Sequence, residues 1–250
     1  AALLALEASR ISPSDVDLYI VATSTPDYTM PATACLVQGN LGTEGAMAFD
    51  VANACAGFVT VMDIAARMLQ TNIETAVVIG VDIASRLVDP EDRTTSVFFG
   101  DGAGALVLSS AGSGRILASN VQSRGDSVSL NVPVGGAMTM NGKAIWNFAT
   151  RVLPDCVQSL CRQAGVPVSD IRLLVPHQAN ENILRCGATE AGIPMDRVAV
   201  NIDLYGNTIA ASIPIALDEA LRQDKARPGD HVLLVGFGAG LSWGGNLLRL

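Results

Sequence analysis

Apolar runs and amphipathic stretches alternate along the whole chain of 250 residues. A short apolar run bounded by turn residues predicts a buried strand, and apolar positions spaced three and four apart predict a helix. The first pattern predicts strands at 18–22, 46–51, 76–80, 96–99, 104–109, 115–124, 173–175, 198–200, 231–236 and 242–249. The second predicts helices at 1–10, 31–41, 58–69, 143–165, 179–191 and 207–222. The alternation is typical of a layered α/β protein.

Proline and glycine add detail to this pattern. Pro31 suits the first turn of a helix, and Pro154 introduces a potential break into the helix 143–165. The glycines in 236–245 predict a turn. The segment 125–141 is rich in glycine and methionine and has no periodicity, so we take it as the connection between two halves of the chain.

The two halves resemble each other. An acid-led strand opens at 17–21 and again at 170–175, and an apolar strand that ends in glycine follows each of them at a similar distance, at 76–80 and 232–236. This repetition predicts a duplicated α/β unit. We place the first half at 1–125 and the second at 126–250.

Composition and charge limit the kinds of molecule that the protein binds and the compartment in which it works. The net charge of −8 argues against nucleic acid and anionic membranes as general partners. No apolar run is long enough to cross a bilayer, and the start of the chain lacks a signal-peptide pattern. The five cysteines are odd in number and scattered, without a C-x-x-C pair, which favours a reducing cytoplasm over a disulfide framework or a zinc site.

One cysteine stands at a chemically favourable place. Cys55 lies between the predicted strand 46–51 and the predicted helix 58–69. The free N–H groups and the dipole of a helix N-terminus favour a thiolate, and small residues on either side leave the sulfur open to a substrate. The alternative is a buried structural cysteine that packs as a small hydrophobe.

The chain contains two histidines. His231 follows a Pro-Gly-Asp turn and reads as a surface or turn residue. His177 follows the strand 173–175 directly, and the ends of such strands are where α/β folds place their ligands. The alternative for His177 is a histidine with purely structural hydrogen bonds.

Asn207 lies between a short strand and a run of small residues, 210–212. It reads either as a helix N-cap or as an amide donor to a developing oxyanion. The glycine turns 100–104 and 236–240 match neither a phosphate-binding loop nor a dinucleotide fingerprint. Their glycines more simply let the backbone approach a substrate or another turn.

Five motifs in order resemble the ketoacyl synthase III branch of the thiolase-like superfamily. They are A-C-A-G-F (54–58), F-G-D-G-A-G-A (99–105), V-P-H-Q-A-N (175–180), Y-G-N-T-I-A-A-S (205–212) and G-F-G-A-G-L-S-W-G (236–244). The resemblance runs through nearly the whole chain. It implies a thiolase-like layered αβαβα fold made of two similar halves, in a homodimer.

The resemblance also implies a reaction. Cys55 would take an acyl group from an acyl-coenzyme A, the substrate, with no permanently bound cofactor. Backbone N–H groups of Cys55 and of the turn from Gly238 to Gly240 would hold the thioester oxyanion. His177 and Asn207 would bind the carbonyl of a malonyl thioester as it decarboxylates. The product would be a 3-oxoacyl thioester in fatty acid or polyketide-type biosynthesis.

Further residues follow by the same resemblance. Arg93 would contact the coenzyme A nucleotide, and Trp146 would line the pantetheine channel unless it only packs. Met30 would reach the acyl pocket of the neighbouring subunit. An acyl carrier protein would bring the malonyl group. The helix after His177 argues against the usual carrier contact, because it offers acids with Arg185 as its one clear cation.

Two alternatives stay open at this point. A relative could pass the acyl group to a non-malonyl acceptor in specialised metabolism, using Cys55 and His177 without decarboxylation. A non-catalytic subunit paired with an active relative is the other alternative, and the presence of all three polar residues argues against it.

Overall fold

The computed structural model describes residues 1–250, with two stacked four-stranded sheets and a small two-stranded ribbon. The strands are β1 (Leu18–Ala22), β2 (Met47–Val51), β3 (Thr75–Ile83), β4 (Asp101–Ser109), β5 (Arg115–Asp126), β6 (Leu130–Asn131), β7 (Thr139–Met140), β8 (Ile171–Pro176), β9 (His231–Gly238) and β10 (Gly240–Arg249). The α-helices are α1 (Ala2–Ser9), α2 (Thr33–Asn40), α3 (Gly57–Met68), α4 (Gly142–Ala164), α5 (Glu181–Ala191), α6 (Ile202–Tyr205) and α7 (Ser212–Arg222).

The two sheets share an arrangement of three strands and differ in the position of the fourth. The first has the order β2-β1-β3-β4, in which β1 runs parallel to β2 and β3, and β4 runs antiparallel to β3. The second has the order β5-β10-β9-β8, in which β8 runs parallel to β9, and β10 runs antiparallel to β9 and β5. Strands β1, β3 and β4 thus match β8, β9 and β10, which confirms the predicted duplication.

Helices separate and cover the sheets to give five layers. Helices α3 and α7 lie between the sheets and contact both. Helices α1 and α2 cover the outer side of the first sheet, and α4, with α5 packed against it, covers the second. None of the helices combines the length and the apolar character needed to span a membrane.

The apolar runs of the central strands reflect burial on both faces. On β1, Leu18 and Ile20 join the core between the sheets, whereas Tyr19 and Val21 face the outer helices. β9 alternates in the same way between the central core and the α4 side. A strand covered on both faces has no polar side, so its sequence reads as a continuous apolar run.

The predicted division after residue 125 stays a prediction. Strand β5, which precedes that point, pairs with β10 and therefore lies in the second sheet. The chain thus crosses from one sheet to the other between β4 and β5, before the glycine- and methionine-rich segment.

Three predicted elements are wrong. Ser96–Phe98 is a 3₁₀ turn and not a strand. The Asp92 carboxylate accepts from the Thr95 hydroxyl, and the Asp92 carbonyl accepts from the Ser96 N–H, so the backbone turns here. The segment 198–200 makes only one bridge, between Val198 and Leu174. The glycine-rich segment 236–245 is a hairpin in which β9 and β10 are separated by Ala239 alone, since Phe237 and Leu241 are buried as strand residues.

Three predicted helices differ in detail. Helix α2 begins at Thr33, beyond Pro31, because the Asp50 carboxylate accepts the N–H groups of Thr33 and Ala34 at 2.6 and 2.8 Å. Helix α4 continues through Pro154. A proline inside a helix costs about 3 kcal/mol of stability, and the buried apolar face of α4 offsets this cost. Helix α7 begins at Ser212, after a 3₁₀ turn over Ile209–Ala211.

Candidate active site

A pocket of about 420 Å³ lies between the two halves and contains the three polar residues singled out above. Cys55 comes from the first half, and His177 and Asn207 come from the second. Of the 25 residues that line the pocket, 17 are hydrophobic, so few polar groups are available for chemistry there. An apolar wall also strengthens any hydrogen bond formed inside the pocket.

The sulfur of Cys55 is placed by a strained turn. Residues Ala54–Ala56 form a 3₁₀ turn that runs into α3, and Ala54 has a φ of 43°. A non-glycine residue in this region costs about 1–3 kcal/mol and persists only where packing enforces it. This turn places Cys55 at the helix N-terminus, as predicted, with only 6% of its surface exposed.

The ionisation of Cys55 differs from the expectation. Burial, and to a smaller extent the nearby Asp82 carboxylate, raise the pKa of the thiol to about 12, against a smaller lowering by the backbone N–H of Cys55. The favourable effect of the helix N-terminus is therefore outweighed by desolvation. The expected thiolate is wrong for the free protein, and Cys55 must give up a proton when it attacks.

His177 is held rigidly at the end of β8. Its backbone N–H donates to the Val235 carbonyl at 2.8 Å, and its Nδ1 lies 2.7 Å from Ser212 Oγ. The Phe237 ring meets the imidazole edge to face at 5.5 Å. Burial lowers the pKa of His177 to about 3, so the imidazole is neutral.

Asn207 makes structural contacts and still keeps a free donor. Its Oδ1 accepts the Ile209 N–H at 2.9 Å, and its backbone pairs with the segment that contains Phe98 and Gly100. Because the amide oxygen is engaged, the Nδ2 group is the part of the side chain left for a ligand. Asn207 is not a helix N-cap, since Thr208 precedes the 3₁₀ turn and Ala211 precedes α7, and its donor role stays a prediction.

The 100–104 glycines serve the contact between the halves. A Cβ on Gly100 would lie 2.1 Å from the Tyr205 carbonyl oxygen, and one on Gly104 would lie 2.7 Å from Pro214 Cβ. This confirms that these glycines let one segment of backbone approach another. The approach brings β4 against the segment that carries Asn207.

The other predicted contact residues divide into two groups. Trp146 and Gly238 line the pocket, and Ala239 lies beside Gly238 there. Arg93 is exposed and outside the lining, although its neighbour Thr94 belongs to it. Gly240 opens β10 outside the lining, and Met30 is 80% exposed. Their roles remain predictions.

Sequence reasoning gave no role to two buried polar residues. Asp82, fully buried, accepts hydrogen bonds from Thr23, Ser24 and Thr25 and from the Ala210 N–H at 3.0 Å, and so ties the two halves together. Its signal in the sequence is an acid inside an apolar strand. The only signal for Ser212, the hydrogen-bond partner of His177, is its place in a run of small residues.

Comparison with known proteins identifies the family of this chain. The family described as 3-oxoacyl-[acyl-carrier-protein] synthase III matches residues 49–125, and its C-terminal family matches residues 161–250. Two relatives bear the name β-ketoacyl-[acyl-carrier-protein] synthase III. The one from Clostridioides difficile is 41% identical and the one from Bordetella petrii 42% identical. Each match covers all of this chain and 81% or 80% of the relative.

A solved structure agrees with the fold. The crystal structure of 3-oxoacyl-[acyl-carrier-protein] synthase III from Aquifex aeolicus superposes with a TM-score of 0.97 at 42% identity, over 100% of this chain and 82% of that one. Fold and relatives together define the class, an acyltransferase with the thiolase-like fold. Within that class, the chain belongs to the 3-oxoacyl-[acyl-carrier-protein] synthase III family.

Proposed function

We propose that the protein condenses an acyl-coenzyme A starter with a malonyl thioester, through an acyl group carried on Cys55. The single observation that carries this proposal is that Cys55, His177 and Asn207 line one largely apolar pocket. A nucleophile and two polar groups in a dry chamber are the parts that a two-step condensation needs.

In the first step, Cys55 Sγ attacks the thioester carbonyl and coenzyme A leaves as a thiol. The carbonyl oxygen gains negative charge in this step, and we assign its stabilisation to backbone N–H groups of Cys55 and of the segment Gly238 to Gly240. The small size of Gly238 beside Cys55 supports this assignment, because it lets backbone come close to the sulfur.

In the second step, the malonyl group loses carbon dioxide and its thioester oxygen gains charge as an enolate. Asn207, whose Nδ2 is free, and His177 at the same pocket are the polar groups available to bind that oxygen. The enolate carbon then attacks the acyl carbonyl on Cys55. The C–S bond breaks, the 3-oxoacyl thioester leaves, and the Cys55 thiolate takes a proton from water to restore the thiol.

We assign the approach of coenzyme A to the mouth of this pocket. Trp146 lines it and is 39% exposed, so part of its side chain is available to pantetheine. We assign Arg93, the neighbour of the lining residue Thr94, to the nucleotide phosphates. Acyl-coenzyme A acts as substrate, and the two steps as written involve no bound cofactor.

The malonyl donor is proposed to be malonyl-acyl carrier protein, with the protein acting as a homodimer in the cytoplasm. On α5, Arg185 is already paired with Glu181 at 2.8 Å. An acidic carrier would therefore have to bind arginines elsewhere, such as Arg151, Arg162 or Arg197.

Intact mass spectrometry with a panel of acyl-coenzyme A esters tests the first step. We expect a mass gain of one acyl group, its loss in Cys55→Ala and its retention in Cys35→Ala, which changes an exposed cysteine. The preferred ester would identify the starter. Absence of acyl transfer from every ester would reject the proposal.

The second step is tested on enzyme that has already been acylated. We expect Asn207→Ala to keep acylation and lose decarboxylation of malonyl-acyl carrier protein; intact decarboxylation would reject the assignment of Asn207. Transfer to a non-malonyl acceptor would give a product of the same mass with and without the malonyl donor.

A further inference from the structure

Asp82 is a buried carboxylate that contacts both halves of the chain. Its side chain is fully buried on β3. Oδ1 accepts hydrogen bonds from the hydroxyls of Thr23 and Thr25 and, at 2.7 Å, from the Ser24 N–H. Oδ2 accepts one bond, from the Ala210 N–H of the second half, at 3.0 Å. None of the steps proposed above uses this residue.

The bond from Ala210 holds the segment that carries Asn207. Ile209 lies between these two residues, lines the pocket and has a φ of 50°. A β-branched residue rarely adopts this backbone conformation, which persists only where the surroundings enforce it. The Ile209 N–H donates to Asn207 Oδ1 at 2.9 Å, and the next N–H, that of Ala210, donates to Asp82. The strained turn is therefore bonded to the Asn207 amide on one side and to Asp82 on the other.

The backbone of Asn207 is held separately. Its N–H donates to the Phe98 carbonyl at 2.7 Å, and its own carbonyl accepts the Gly100 N–H at 3.1 Å. Neither bond involves Asp82. Loss of the Asp82 contact would therefore release the turn and the side-chain amide of Asn207, while the backbone at this residue stays paired.

We infer that Asp82 is a positioning residue for the second step: it holds the Ala210 N–H, and thereby fixes the turn to which the Asn207 amide is bonded and keeps Nδ2 available to the pocket. The inference rests on the proposed function, in which Asn207 Nδ2 binds the enolate oxygen. A donor that stabilises a developing charge works best when it is already in place, because no reorganisation is then needed during the reaction. The first step does not use Asn207, so acylation should depend much less on Asp82.

The variant Asp82→Asn removes one of the two acceptor oxygens. Three donors face Oδ1 and one faces Oδ2, so the amide oxygen should turn to the three donors and the NH₂ group to Ala210. The bond across the halves is then lost with little change in volume. Asp82→Ala removes both oxygens and serves as the second variant. The matched control is Thr25→Val, which removes one bond to Oδ1 and leaves the Ala210 bond in place.

Amide hydrogen exchange, followed by NMR at neutral pH, tests the positioning without any substrate. Relative to the amides of β9, we expect the Ile209 and Ala210 N–H groups to exchange about tenfold faster in Asp82→Asn, which corresponds to one lost hydrogen bond. We expect no such change in Thr25→Val. Unchanged protection of Ile209 in Asp82→Ala would mean that the turn keeps its bond to the Asn207 amide without Asp82, and it would overturn the inference.

Single-turnover kinetics of the two steps give a second test, at a pH above the pKa of about 6 of the Asp82 carboxyl. On enzyme already acylated, we expect Asp82→Asn to slow carbon dioxide release from saturating malonyl-acyl carrier protein by about 100-fold, the cost of a misplacement of about 1 Å. Acylation of Cys55 should stay within about threefold of the wild-type rate, as for an independent site. Equal losses in both steps would mean a merely structural role and overturn the inference.

A double variant asks whether Asp82 acts through Asn207. In an Asn207→Ala background, Asp82→Asn should change the residual decarboxylation rate by less than about twofold, because the group that Asp82 positions is already absent. A further loss as large as that in the wild-type background would show that Asp82 acts on a different group, and the inference would be wrong.

These outcomes are distinguishable from a failure of the proposed function. If the wild type accepts no acyl group, or if Asn207→Ala keeps full decarboxylation, the proposed function or its assignment of Asn207 fails, and hydrogen exchange still decides whether Asp82 holds the turn. If both steps proceed as proposed and Asp82→Asn slows neither of them, only the role of Asp82 is lost.

Discussion

Gly238 leaves no room for a side chain beside Cys55. A Cβ atom at position 238 would lie 2.7 Å from Cys55 Cβ and 3.0 Å from Cys55 Sγ. The last residue of β9 thus closes one side of the sulfur with backbone alone, and this contact joins the second half of the chain to the nucleophile of the first.

Gly238→Ala should therefore reduce acylation of Cys55. The new methyl group must displace the sulfur or the hairpin, and a shift of about 1 Å at a reacting atom costs about 100-fold in rate. Rapid-quench mass spectrometry of the acyl-enzyme measures the effect. The control is Gly39→Ala, since a Cβ there meets nothing within 4 Å; equal rates in both variants would contradict the proposed geometry.

The buried thiol should be unreactive in the free protein. With a pKa raised to about 12, Cys55 is almost wholly protonated at neutral pH, so iodoacetamide should modify the exposed Cys35 first. Modification of Cys55 should accelerate about tenfold per pH unit as the pH rises toward that pKa. Peptide mapping across a pH series gives both rates, and preferential labelling of Cys55 at pH 7 would be inconsistent with the burial described.

Asp82 should make stability depend on pH. Burial raises the pKa of its carboxyl from 3.8 to about 6 in the folded protein. Between about pH 4 and pH 6 the folded state binds a proton that the unfolded chain has lost, so this group makes the free energy of unfolding fall as the pH rises. Over the window the expected fall is of the order of 3 kcal/mol.

The variant Asp82→Asn tests this pH dependence. At pH 4.5 it should be less stable than the wild type by about 1–3 kcal/mol, because one of the bonds that Asp82 accepts loses its acceptor. The difference should shrink as the pH rises to 7, since the variant has no carboxyl to ionise. Urea unfolding gives the values, with Asp196→Asn on the surface as control. A constant difference across this range would refute the assigned pKa.

Arg93 should affect substrate binding without affecting chemistry. If it contacts the coenzyme A phosphates, Arg93→Ala should raise the KM for acyl-coenzyme A by about tenfold, the value of one charge-assisted hydrogen bond, and leave kcat unchanged. The effect should weaken as salt screens the phosphates. Arg222→Ala serves as control, because Arg222 is paired with Asp218 on helix α7. A fall in kcat at constant KM would count against the contact.

Several features of the fold could be read from local sequence. The bounds of β1 agree with the prediction, because a strand buried on both faces reads as an uninterrupted apolar run. Cys55 before a helix and His177 after a strand were also placed correctly, since both follow from the order of elements along the chain. The turn predicted at 236–245 is too long, because glycines predict a turn unless the burial of Phe237 and Leu241 is known.

The sequence by itself determined the order of the strands and helices and the residue types available for chemistry, because these depend on periodicity and on neighbours a few residues away. The tertiary structure alone decided that Cys55 shares a pocket with His177 and Asn207, and that Ser212 stands behind the imidazole. It also decided the charge of Cys55. Desolvation comes from residues distant in the chain and exceeds the local effect of the helix N-terminus.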